Sequence, residues 1–218
     1  MLDTATDSLQ MDPPVADLGP LAWVFEELRK SLDVANKAIK RFVRETEQSR
    51  MDDLQAVDPA SLRQARQSLH QAVGALEMVG LGAPAHVLRA MEAAVQRFTQ
   101  KPQSCTEAAA AKVERASFAL VEYLEAVLNN KPVQPVALFS QYREVQELAA
   151  AEKAKEEGKP ENMIAKIVEG QINKFQKDVV LTKQPFVMNP DVTIEQLVAD
   201  AGKELGAPGL HLAGFVRL

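Results

Sequence analysis

"REVQELAAAEKAKEEGKPENMIAKIVEG", residues 143–170, decides how this chain is read. Taken as one charged helix it carries a single protein through its middle; taken as a join it separates two pieces of different character. The run "LAAAEKAK" is rich in helix formers and fits either side, so a helix can cross the join without marking it. The decision therefore rests on what lies to its left and right.

To the left the periodicity is helical throughout. Leu21, Phe25, Leu28, Leu32, Ala35, Ile39 and Phe42 recur at three- and four-residue steps, which places them on one face of a helix from Pro20 to about Gln48. A second helix opens with Asp58 as N-cap and Pro59 at its first position and ends at Gly80 and Gly82, with Leu62, Ala65, Leu69, Ala72, Leu76 and Val79 as its apolar stripe. A third follows Pro84 and turns Val87, Met91, Ala94, Val95 and Phe98 inward. The fourth starts near Thr106, buries Val113, Ala116, Leu120, Leu124 and Val127, and stops before Lys131 and Pro132. Four such helices with short connections predict a four-helix up-down bundle over residues 20–147, preceded by a disordered lead-in at 1–19. Beyond it, "KPVQPVALFSQYREVQEL" starts extended at its two prolines and then returns to helical composition.

To the right the character changes. Residues 148–158 read as a helical linker or seam, and 159–218 as a small α+β piece with one or two strands in an otherwise mainly α chain. "ENMIAKIVEGQINKFQKDVV" sets Ile164, Ile167, Val168, Ile172 and Phe175 on one side of a helix. "VVLTKQPFVMNP" looks extended, and a short helix opens at Thr193 with Gln196 three positions on, the capping-box spacing. Leu210, Leu212, Val216 and Leu218 share a face of a terminal strand that needs a sheet as partner. Basic-residue usage shifts too: Arg outnumbers Lys before residue 149, and afterwards every basic residue is Lys except Arg217.

Composition narrows the function. A net charge of −5 and a pI near 5.4 speak against a surface built for nucleic-acid phosphates or anionic lipid. No apolar run approaches the roughly 20 residues that cross a bilayer, and the acidic, Pro-rich start lacks a signal peptide's basic and apolar regions, so a cytoplasmic protein without membrane partners is expected. Cys105 is alone, and His70, His86 and His211 lack metal-ligand spacing, so neither metal nor cofactor is expected. Without a phosphate loop, a nucleophile elbow or a Cys–His pair, the chain reads as a non-catalytic interaction protein rather than an enzyme.

The candidate site residue is His70, in "SLHQAVGALEMVGLG". It lies beside the buried stripe, with Gly74 one turn later on the same face, and the missing side chain leaves room for a partner to approach the imidazole. Residues about 20–147 resemble the histidine-phosphotransfer-type domain at the N-terminus of chemotaxis-like hybrid sensor kinases of the pilus-motility kind. "LHQAVGALEMVGL" carries the histidine motif, and "PLAWVFEELRKSLDVANKAIKRF", "VLRAMEAAVQRF", "VERASFALVEYLEAVL" and "PVALFSQYREVQ" extend the likeness. The resemblance implies His70 as phosphoacceptor with Gly74 beside it, and a response-regulator receiver domain or pilus and chemotaxis signalling proteins as partners. The family pattern usually has Lys three residues after the histidine, where its charge would balance a phosphoryl group; this chain has Val73. An ordinary half-exposed histidine on a scaffold bundle is the other reading.

The last 70 or so residues resemble the C-terminal half of the core of elongation factor Ts. The likeness is carried by "GKPENMIAKIVEGQINKF", "QPFV" and "GAPGLHLAGFVRL" in order and spacing. It implies surface contact with elongation factor Tu, the GTPase whose nucleotide that family exchanges. The family's ubiquitin-associated-like module and Thr-Asp-Phe-Val motif have no counterpart in the first 148 residues, and its Gly-Glu-Gly run would lie past Leu218. Ile167, Phe175, Phe186 and Phe215 are then expected core residues of a piece that is marginal alone. Three functions follow as expectations: a signalling bundle with an incidental tail, a translation-factor type of protein, or a fusion of two genes with no selected function. The seam is expected at Leu148 to Glu152.

Overall fold

A computed structural model of the chain describes residues 18–51, 57–156, 161–207 and 209–213. The fold is mainly helical with one small sheet. Seven α-helices occur among the described residues: α1 (Gly19–Met51), α2 (Ala60–Val79), α3 (Gly82–Gln100), α4 (Glu107–Leu128), α5 (Phe139–Glu156), α6 (Glu161–Val179) and α7 (Ile194–Glu204). Strands β1 (Pro185–Phe186) and β2 (Asn189–Thr193) form an antiparallel pair between α6 and α7.

The ends of these helices follow local chemistry. Asp58 Oδ1 accepts from the Ala60 amide at 3.1 Å and from Arg63, but α2 starts at Ala60, so Pro59 rather than Asp58 holds the N-cap position and the expected cap is displaced by one residue. At the other end Gly80 adopts φ 79°, a left-handed conformation that suits glycine, and its amide returns to Leu76 and Glu77. Thr106 caps α4 through a 3.2 Å bond from the Ala109 amide. Thr193 and Gln196 form the reciprocal capping box at α7. Two further boundaries differ from the sequence reading: α1 continues to Met51, and α3 begins at Gly82 with Pro84 inside its first turn. Proline is tolerated there because first-turn amides have no intrahelical acceptor.

Packing begins from the apolar stripes. The seven predicted inward residues of α1 and the five of α3 are all buried, as are Leu62 through Leu76 of the α2 stripe and Val113, Ala116, Leu120 and Leu124 of α4. Val79 and Val127, at the helix ends, are half-buried. Cross-helix pairs fix the directions. Lys40 Nζ meets Glu114 at 2.5 Å, and the Ser117 hydroxyl lies 3.1 Å from Asn36 Oδ1, so α1 and α4 are antiparallel. Arg115 to Glu144 at 2.7 Å and Lys112 to Glu147 at 3.9 Å set α5 antiparallel to α4.

The core does not close on four helices. Leu138, Tyr142 and Val145 are buried in the same cluster as the α1–α4 stripes, and so is Phe175 from α6. The expected seam therefore falls inside one element. Through Glu156, the anticipated linker 148–158 is the second half of α5, whose first half is already packed in the core; residues 157–160 lie outside the described residues.

The C-terminal part is more open. β1 and β2 pair Pro185 with Thr193 and Phe186 with Asn189, with an irregular register between the two pairs. Residues 210–213 form no strand: the Ala207 amide bonds to the Gly202 carbonyl at 2.8 Å and the Leu210 amide to Ala207, which turns the chain back against α7. The expected terminal strand is thus corrected over Leu210 and Leu212, because their stretch of backbone is committed to a turn rather than a ladder; Val216 and Leu218 lie outside the described residues. Gly202 permits that return, since a Cβ there would sit 2.9 Å from the Ala207 carbonyl oxygen. Of the four tail residues expected in a core, Phe175 is buried, Ile167 and Phe186 are half-buried, and Phe215 lies outside the described residues, as does the lead-in over residues 1–17.

Candidate functional site

The first candidate surface is centred on His70. Its side chain is 73% exposed on the outer face of α2, with Nδ1 3.0 Å from Glu92 Oε1 of α3. A carboxylate only accepts, so Nδ1 is the ring nitrogen that donates in this contact. Arg66, one turn before His70, stands 4.0 Å from the same Glu92 oxygen. A Cβ on Gly74 would meet nothing within 4 Å, so the surface beside the imidazole is open on that side. Val73 is buried in the core, which places the position usually held by Lys on the packed side of this helix.

His70 and Gly74 are therefore brought together, and Glu92 and Arg66 join them. Arg66 was legible in the sequence as the residue one helical turn before His70. Glu92, 22 positions away, became a neighbour only when α3 folded back along α2. The arrangement holds an exposed imidazole by one ring nitrogen beside a surface that a partner can approach.

A second candidate surface lies in the C-terminal part. Val187 and Met188 connect β1 to β2 and are 90% and 83% exposed, an apolar tip on a two-stranded ribbon. A shallow groove of about 410 Å³ also runs between α7 and residues 210–212, lined by Val198, Ala199, Lys203, Leu210, His211 and Leu212 among others. Lys183 to Glu195 at 2.5 Å ties the turn before β1 to the start of α7.

The two parts meet at Phe175. Its ring stacks on Tyr142 of α5 at 4.6 Å and 22°, and takes Phe139 and His86 edge-on at 5.0 and 5.4 Å. His86 Nε2 lies 3.1 Å from Asp178 of α6. Burial pushes the Tyr142 hydroxyl up from its ordinary range, and burial likewise holds the His86 imidazole below its own. None of these four partners was named as a site from the sequence, because they come from three helices.

Among the described residues no group of three or more His, Cys, Asp or Glu is placed to hold a metal ion, and no helix is long and apolar enough to cross a membrane.

Comparison with known proteins adds the following. The family model described as Elongation factor TS matches residues 124–218, beginning inside α4 and well before the expected seam. Elongation factor Ts of Caulobacter sp. (strain K31) is 64% identical over 67 residues, which is 31% of this chain and 21% of that protein. Elongation factor Ts of Bartonella bacilliformis is 55% identical over 67 residues, 31% of this chain and 22% of the relative. That of Brucella ovis is 42% identical over 91 residues, 39% of this chain and 30% of the relative. The chain thus spans less than a third of the length of each of these relatives. No solved structure matches. These findings support the elongation-factor-Ts likeness of the C-terminal part and lend none to the phosphotransfer likeness of residues 20–147.

Proposed function

We propose that the chain is a non-catalytic docking protein whose C-terminal part, from α5 through α7, contacts elongation factor Tu in the manner of elongation factor Ts and so belongs to protein biosynthesis in the cytoplasm. The family match over residues 124–218 is the observation that carries this reading. The exposed Val187–Met188 tip supports it, since a contiguous apolar tip is a surface that gains by being covered. The helices before α5 then act as a scaffold that seats α6.

Two measurements on the full chain test the proposal. Binding to elongation factor Tu is expected by biolayer interferometry, and it is expected to weaken in Val187→Asp/Met188→Asp while the far-UV circular dichroism stays unchanged. Release of a fluorescent GDP analogue is expected to show no acceleration, because the Thr-Asp-Phe-Val motif is absent from residues 1–148. Failure to bind at all overturns the reading.

A second reading is carried by the His70–Glu92 pair. With Nδ1 held by a carboxylate and the ring 73% exposed one turn from Gly74, His70 is accessible to a receiver-domain aspartyl phosphate. Mixing the protein with a phosphorylated receiver domain of a pilus or chemotaxis response regulator tests it. Label must reach the wild type and not His70→Gln.

A further inference from the structure

We propose that His86 is the pin of an acid-released latch that seats α6 on the helical bundle. α6 packs along α5 and touches α3, and its apolar face is only partly covered. Of its apolar face only Val168 and Phe175 are buried, while Ile164, Ile167 and Ile172 remain half-exposed. Phe175 therefore anchors the helix, and one wall of its pocket is the His86 ring from α3. His86 has a side chain only 19% exposed, so its charge state is felt directly at this contact.

Every charged or titratable group around His86 has a definite sign. Asp178 of α6 accepts from Nε2 at 3.1 Å and favours the imidazolium. Arg89 of α3 and Lys174 of α6 oppose it, and Tyr142 of α5 contributes a hydroxyl that burial keeps neutral. Loss of water on burial is the largest influence and also opposes the charge, so the ring's affinity for a proton falls below its ordinary value near 6.5.

The direction of the pH effect follows. An imidazole that protonates less readily when docked than when free gives the undocked state more bound protons in acid. Docking is then complete above about pH 6.5 and weakens as pH falls through that value toward the lower docked one. Protonation would place a cation in a mostly buried ring contact and near Lys174 and Arg89, the latter already paired with Glu77, with one half-exposed carboxylate in answer. Release of α6 uncovers the aromatic rings of Phe139, Tyr142 and Phe175 together. This device depends on neither functional reading above.

Amide hydrogen exchange on the full chain at pH 7.5 and 5.5, corrected for intrinsic exchange, reads the latch. Protection over α6 is expected to fall about threefold to tenfold on acidification, while α1 and α2 keep theirs. In His86→Gln that fall should vanish, and in Asp178→Asn it should steepen because the one group favouring the charge is gone. A fall of equal size in His86→Gln, or protection that rises in acid, overturns the proposal. Should the variants fold poorly, the wild-type His86 ring resonance decides by itself: titration below 6.5 supports the latch, and titration at or above 6.5 refutes it.

Discussion

Replacing Phe175 by alanine tests whether the two parts of the chain share one core. The ring is 1% exposed and touches three rings, from α3, from the start of α5 and from one turn further along α5. Full burial of a Phe side chain contributes roughly 1.5–3 kcal/mol, and each well-placed aromatic pair adds about 0.5–1.5 kcal/mol. Those figures, with a residual cavity on truncation, put the cost at about 3–5 kcal/mol. The neighbours limit relaxation: Tyr142 is itself buried, so its ring cannot swing out to fill the space without exposing apolar surface. Urea unfolding followed by far-UV circular dichroism is the right assay, because Trp23 is 89% exposed and its fluorescence is a poor reporter of the core. Phe175→Ala should lower the midpoint for the whole helical signal, or split the transition so that α6 melts first. Phe186→Ala, truncating a half-buried hairpin residue, should leave the main transition in place. A loss below about 1 kcal/mol for Phe175→Ala, with a single unshifted transition, would show that α6 does not dock on α3 and α5.

Three further outcomes are expected. Gly74→Ala should raise stability by about 0.5–1 kcal/mol in a thermal melt, since the position is helical and a Cβ meets open space; a decrease would mean the surface beside His70 is tighter than described. Cys105, buried with its thiol pushed up to about 12 by loss of water, should resist a thiol-specific chromogenic reagent at pH 8 in the folded protein and react at once in denaturant. Thr193→Ala should remove the capping box and lower hydrogen-exchange protection across α7 by an amount equivalent to about 1 kcal/mol, with no change in α1–α4.

Local rules placed most of the helices. The three- and four-residue recurrence from Leu21 to Phe42 specified a face, and that face is buried; Thr106, Thr193 with Gln196, and Gly80 specified ends, and the ends are there. Each of these signals is carried within a few residues by backbone groups that need a partner or an apolar side chain that needs cover. The terminal strand at Leu210 and Leu212 was misread for the same reason. Alternation of apolar residues marks a strand only when a sheet is present to bond it, and here the backbone turns back on Gly202 instead.

The candidate surfaces divide along the same line. His70 and Gly74 were legible because both lie on one helix at a spacing that fixes their common face. Glu92, which assigns the proton to Nδ1, was not, because it reaches His70 only through the antiparallel packing of α2 on α3. The elongation-factor-Ts likeness of the C-terminal part likewise lay in the order of residues along the chain. What the sequence by itself determined is therefore most of the helices, the caps at Thr106 and Thr193, and the buried faces, all set by interactions spanning a turn or two. Only the tertiary structure decided that α5 runs unbroken through Leu148 to Glu152 and that Phe175 closes a pocket made by His86, Phe139 and Tyr142. That decision belongs to burial of apolar surface between segments nearly 90 residues apart, such as His86 and Phe175, which no local spacing encodes.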